Sequence, residues 1–211
     1  MKEFNVVIAG VGGQGSILSS HILGDAAIRD GYHVRVAETY GAAMRGGPVM
    51  GQIRIGPNVQ EPLIPQDKAD ALVALEPLEG LRRGIRYLSP LGLAILNTRR
   101  LSPVDVNLGG VKYPSIDQIV EKLGKLCREV ITIDGNTLAE RAGNAKTLNV
   151  VMIGALKGFD LLPISEKFLE KAIVEREPPG TQDMNLKAFK LGIEVTRARV
   201  SSTRAVANRN A

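Results

Sequence analysis

The chain has 211 residues, 44% of them hydrophobic and 23% charged, with a single cysteine and no tryptophan. That balance suits one sizeable α/β domain with a real core and speaks against long disorder. No apolar run approaches the roughly 20 residues that span a bilayer, a lone thiol closes no internal disulfide, and the net charge of +5 is concentrated near one end. Arg197, Arg199, Arg204 and Arg209 lie in the segment 197–211, which holds no acid, so the basic bias reads as a frayed, solvated C-terminal tail on a domain spanning 1–196. Neither nucleic acid nor a membrane is an expected partner. The N-terminus lacks the layout of a secretory signal, because glycines interrupt its apolar run, and a cytoplasmic location is expected.

The first stretch organises the rest. Phe4 to Ala9 is an apolar run of strand length that enters Gly10-Val11-Gly12-Gly13-Gln14-Gly15, a G-x-G-x-x-G turn followed by a helix over Gln14 to Arg29. In such a turn Gly10 permits the tight bend, Gly12 lets the backbone approach an anion or a partner, and Gly15 lets helix and strand pack closely. The same glycines also serve a plain strand-to-helix turn. Leu18, Ile22 and Ala26 repeat every four residues toward a sheet. Residues 33–38 alternate and end in Glu38, which in a dinucleotide enzyme binds ribose hydroxyls and otherwise is a strand-end carboxylate. Thr39 to Pro48, with Tyr40, Gly41, Arg45, Gly46 and Gly47, is a glycine-rich loop leading into a strand over Val49 to Ile55. Arg45 brings a planar guanidinium suited to a carboxylate or a phosphate, or else merely solvates its loop.

Beyond a proline-rich loop, Ala69 to Leu75 is a buried strand. Glu76-Pro77 opens a helix with Leu78, Leu81, Ile85 and Leu88 as its stripe. Gly92 to Asn97 is another strand, with Asn97 at the sheet edge where ligands gather in this class of fold. Ser115-Ile116-Asp117-Gln118 is a capping-box pattern starting a helix whose stripe is Ile116, Ile119, Val120, Leu123 and Leu126. Val130 to Asp134 is the next strand, and helices follow over 136–142, 148–157, 165–176 and 184–196. Strands alternating with helices over short joints predict an α/β fold, a mainly parallel, doubly wound, Rossmann-like sheet with helices on both faces.

Motifs for self-sufficient chemistry are missing. His21 and His33 have no second ligand at metal spacing, and both read as structural. There is no G-x-S-x-G elbow and no Walker A sequence. Cys127 reads as a small buried hydrophobe, and one thiol holds no iron–sulfur cluster. Asp134-Gly135-Asn136 contains only fragments of a thiamine diphosphate site.

Several stretches together resemble one family. Val6 to Gly15, Glu38 to Gly47, Ala69-Asp70 with Leu75-Glu76-Pro77-Leu78-Glu79, and Gly143-Asn144 with Asn149 and Gly154-Ala155-Leu156 look like the gamma-type chain of 2-oxoacid:ferredoxin oxidoreductases, nearest to its indolepyruvate branch. The likeness covers the chain to about Thr196. It implies a subunit that is inactive alone, within a complex that oxidatively decarboxylates a 2-oxoacid with coenzyme A as co-substrate and ferredoxin as electron acceptor. The 2-oxoacid is indolepyruvate or another arylpyruvate, pyruvate, 2-oxoglutarate or ketoisovalerate. Thiamine diphosphate with Mg2+ and the iron–sulfur clusters are then borne by larger partner subunits, with no cofactor, metal or catalytic residue in this chain. The glycine turn, the loop around Arg45, Asn97, Asn144 and Asn149 would contact a ligand or a partner. Two alternatives remain: a free-standing NAD(P)-dependent dehydrogenase using Gly10, Gly12, Gly15 and Glu38, and a nucleotide-binding regulatory module.

Overall fold

The computed structural model describes residues 3–40, 46–102 and 113–207, and the side chains of Tyr40 and of 201–207 are not among those described. One sheet of six strands carries the fold: β1 (Phe4–Val11), β2 (Val34–Tyr40), β3 (Pro48–Ile55), β4 (Ala69–Ala74), β5 (Leu88–Asn97) and β6 (Glu129–Ile133). Their order across the sheet is β2-β3-β1-β4-β5-β6. From β1 through β4 and β5 to β6 all neighbours are parallel, each reached by a crossover, as the alternating pattern predicts. β3 departs from it, lying antiparallel to both β1 and β2. Only a short connection separates β2 from β3, too little for a crossover helix, and a short joint is what an antiparallel pair accepts.

Helices cover both faces. Against one lie α1 (Ser16–Arg29), α4 (Gly135–Ala142), α5 (Leu148–Gly158), α6 (Glu166–Arg176) and α7 (Gln182–Ala207); against the other lie α2 (Pro77–Tyr87) and α3 (Ile116–Gly124). The strands feed both layers: Val6 and Ile8 point to the first core, Val7 and Ala9 to the second. Buried on both faces, β1 is a continuous apolar run. α5 is buried almost all round, which accounts for its weak amphipathic signal.

Three local expectations change. Ile85 does not complete the stripe of α2: it is 60% exposed, while Gly80 and Gly84 face inward. A Cβ on Gly80 would come within 2.4 Å of Ala74, and one on Gly84 within 2.5 Å of Leu123, so α2 approaches β4 and α3 through its glycines. Leu88 is buried but belongs to β5, which begins directly after α2. The last helix does not stop at Thr196. α7 continues to Ala207, drawing Arg197 to 3.5 Å from Glu166 and 3.9 Å from Asp160, so the first part of the basic segment is helical. The second of those pairs lies across from the end of α5. The capping box of α3 forms as read: the Gln118 amide donates to Ser115 Oγ at 3.2 Å and the Ser115 amide to Gln118 Oε1 at 3.0 Å.

Candidate functional site

The carboxyl ends of β1, β4 and β5 converge where the order of strands reverses, the place where open α/β sheets receive ligands. Here the glycine turn is held by its own chain. Gly13 and Gly15 have φ of 104° and 83°, left-handed values that favour glycine. Gln14 folds back, its Oε1 accepting from the Val11 amide at 2.8 Å and its Nε2 donating to the Leu75 carbonyl at 3.1 Å. The Gly12 amide donates to the Gly47 carbonyl at 2.8 Å and the Gly46 amide to the Gly12 carbonyl at 3.2 Å, extending the pairing of β1 with β3 across the turn.

The roles of the glycines are therefore redistributed. Gly10 lies inside β1, where an added Cβ would sit 2.7 Å from Ser16 Oγ, so it admits α1 close to the strand. Gly15 makes the left-handed bend and lies against Asn149, 2.9 Å from where its Cβ would be. The Gly12 amide and carbonyl are engaged by Gly47 and Gly46 of the loop before β3. Gly41 and Arg45 lie outside the described residues, as does the side chain of Tyr40.

Glu38 sits on β2, with β3 between it and the glycine strand. Its carboxylate Oε1 is 2.9 Å from His21 Nε2 on α1, out of line for a hydrogen bond, so His21 has a partner that its sequence position did not reveal. The pair borders an open cavity of about 710 Å³ walled also by the glycine turn, Ser16 and the apolar side chains of Val11, Ile17, Leu18 and Val49.

The asparagines serve the framework. Asn97, fully buried, donates from Nδ2 to the Leu75 carbonyl at 2.9 Å and to Asn136 Oδ1 at 3.0 Å, and accepts from the Gly135 amide at 3.1 Å. It pins the end of β5 to β4 and to the start of α4. Asn144 accepts from the Lys146 amide at 2.9 Å and caps the short 3-10 turn before α5. Asn149 is buried under Gly15 and lies 3.4 Å from Glu177 Oε1, whose carboxyl burial holds above the usual range.

A second cavity, of about 340 Å³, opens beside the turn between Gly13-Gln14, Arg99-Arg100-Leu101, and Asn136 and Lys146. Three cations meet there, with Glu140 on its rim 3.3 Å from Arg99. Sequence reading passed over Arg99, Arg100 and Lys146; the available signal was a pair of arginines two residues past a strand end at the switch of strand order.

Behind this cavity is a buried acid. Glu76 caps α2, accepting from the Glu79 amide at 2.8 Å, and also accepts from the Tyr113 hydroxyl. Burial raises its pKa above the ordinary value, more than these donors lower it, and the neighbouring Glu79 adds to the rise. The Tyr113 hydroxyl is likewise pushed up, by burial first and then by Glu76. The Arg100 guanidinium stacks over the Tyr113 ring, 5.1 Å from its centre. Glu79, also buried, pairs with Arg82 at 2.6 Å.

Cys127 is half-buried, and its thiol donates to backbone carbonyls of Leu123 and Glu129; burial raises its pKa. Being the chain's single thiol, it does not fit an iron–sulfur cluster. Among the described residues no three His, Cys, Asp or Glu side chains converge as a metal site, and no helix is long and apolar enough to cross a membrane.

Residues 5–195 match the pyruvate ferredoxin/flavodoxin oxidoreductase family, and the chain belongs to it. Among its relatives, indolepyruvate oxidoreductase subunit IorB of Archaeoglobus fulgidus is 44% identical over 90% of this chain and 94% of its own length. The protein of the same name from Thermococcus kodakarensis is 42% identical over 93% and 98%. 2-Oxoglutarate synthase subunit KorC of Methanothermobacter thermautotrophicus is 32% identical over 89% and 92%. The fold is shared with the gamma subunit of a keto/oxoacid ferredoxin oxidoreductase from Geobacter sulfurreducens, at a TM-score of 0.68 and 24% identity over 92% of this chain and 99% of that one.

Proposed function

We propose that this chain is the cofactor-free subunit of a cytoplasmic 2-oxoacid:ferredoxin oxidoreductase, inactive alone, with indolepyruvate or a related arylpyruvate as the 2-oxoacid. Its larger partner carries thiamine diphosphate, Mg2+ and iron–sulfur clusters, and the complex passes electrons to ferredoxin while coenzyme A takes up the acyl group. The observation that carries this over a nicotinamide enzyme is the glycine turn closed on itself: the Gly12 amide is spent on Gly47 and the Val11 amide on Gln14. With β3 between β1 and β2, Glu38 is also displaced from the neighbouring-strand position in which a dinucleotide enzyme holds ribose. The cavity of Arg99, Arg100 and Lys146 supplies charge for the phosphates of coenzyme A at the rim of the partner interface.

The purified chain is expected to be colourless, to leave NADH fluorescence unchanged, and to support 2-oxoacid- and coenzyme A-dependent dye reduction only once combined with its partner. Micromolar NADH binding, or turnover by the chain alone, overturns the proposal.

A further inference from the structure

We propose that Glu76 is a positioning residue: from inside the protein its carboxylate holds the Tyr113 hydroxyl, and through the Tyr113 ring sets Arg100 at the wall of the cationic cavity. The inference rests on reading that cavity as the coenzyme A phosphate site. Glu76 is fully buried at the end of β4, on the rigid floor of the switch region. An acid there needs a reason, since capping α2 alone calls for one carboxylate oxygen and is done well by shorter, exposed side chains. Oε2 receives the Glu79 amide, whereas Oε1 receives the Tyr113 hydroxyl.

Arg100 lines the cavity and stands over the Tyr113 ring. Leu101 follows Arg99-Arg100 directly and itself lines the cavity. Tyr113 presents its ring beneath Arg100 while its hydroxyl is tied to Glu76. A long arginine side chain loses much rotamer freedom on binding an anion, and a guanidinium already laid on a fixed ring has less to lose. No carboxylate pairs with Arg100 among the described residues. Its charge is aimed at the cavity, not neutralised within the fold.

Glu76→Asp separates anchoring from capping, because aspartate caps helices well yet falls one methylene short of the Tyr113 hydroxyl. In the isolated full-length chain, the amides of α2 should exchange in Glu76→Asp as they do in the wild type. In the assembled complex, Glu76→Asp, Tyr113→Phe and Arg100→Ala should each raise KM for coenzyme A severalfold without changing kcat, and Glu76→Asp combined with Tyr113→Phe no further than either alone. A KM for coenzyme A unchanged in Glu76→Asp overturns the proposal, as does faster exchange spread evenly over α2 and β4, which is what a merely structural acid would give. If Arg100→Ala raises KM and Tyr113→Phe does not, the anchoring idea fails and the coenzyme A reading survives. No change of KM in any of the three, Arg100→Ala included, overturns the coenzyme A reading and the positioning role with it.

Discussion

The two ends of the sheet hold an arginine each, in opposite ways. At the amino end of β1, Arg54 donates to Asn5 Oδ1 at 3.2 Å, to the carbonyls of Glu61 and Leu63 at 3.1 and 3.2 Å, and to Glu3 Oε2 at 2.8 Å. Asn5 is in turn fixed by Asp70 and the Lys68 carbonyl. At the carboxyl end, Arg100 rests on a ring and faces a cavity. A guanidinium whose donors are consumed by the protein stiffens a loop, and one held by its flat face keeps its donors for a visitor. The Arg54 side chain is accordingly only 13% exposed, whereas Arg100 stands open to solvent.

Breaking the saturated end should have the largest effect. Arg54→Met leaves a set of acceptors without donors behind a side chain only 13% exposed, and is expected to cost about 3 kcal/mol in urea unfolding with KM for coenzyme A unchanged. A change in that constant would mean that the two ends are not independent. At the other end, Gly15→Ala places a methyl group 2.9 Å from Asn149 on a left-handed backbone, and should cost about 2 kcal/mol by the same measurement.

The smallest effect is one of sign. Because burial raises the Glu76 pKa, the folded protein holds that proton to higher pH than the unfolded chain does. Its contribution to stability is therefore fullest below the unfolded value and is lost as pH rises through the folded one. The groups around it, Tyr113, Glu79 and, over the Tyr113 ring, Arg100, remain in a Glu76→Gln variant, which does not titrate at that position. The stability of the wild type relative to Glu76→Gln should grow on acidification from about pH 7 to about pH 5. A gap that narrows instead means that the donors outweigh burial.

Much of the fold was legible. The glycine turn, the alternation of strands and helices and the Ser115 capping box are local signals, each spelled in a few neighbouring residues. The antiparallel β3 was not, because an apolar strand reads the same in either direction. The inward face of α2 was hidden because glycine carries no side chain to count, so Ile85 seemed to belong to the stripe. At the site, Gln14 and the glycines were found, but their partners were not: Leu75, Gly47 and Asn149 are distant in sequence. Glu76 was read as the opener of a helix; that it also holds Tyr113 depends on a contact across 37 positions, which no local pattern encodes.

The Leu75 peptide carries a consequence for how anything enters the switch region. Its N–H donates to the Ala9 carbonyl at 2.8 Å, and its own carbonyl receives both Gln14 and Asn97. A carbonyl oxygen has two lone pairs, and here both are occupied. The slot between diverging strands is thus sewn shut by two side-chain amides from different strand ends. A visiting molecule meets a sealed floor and must lie across it, against the walls that stand above: the glycine turn on one side and Arg99 and Arg100 on the other.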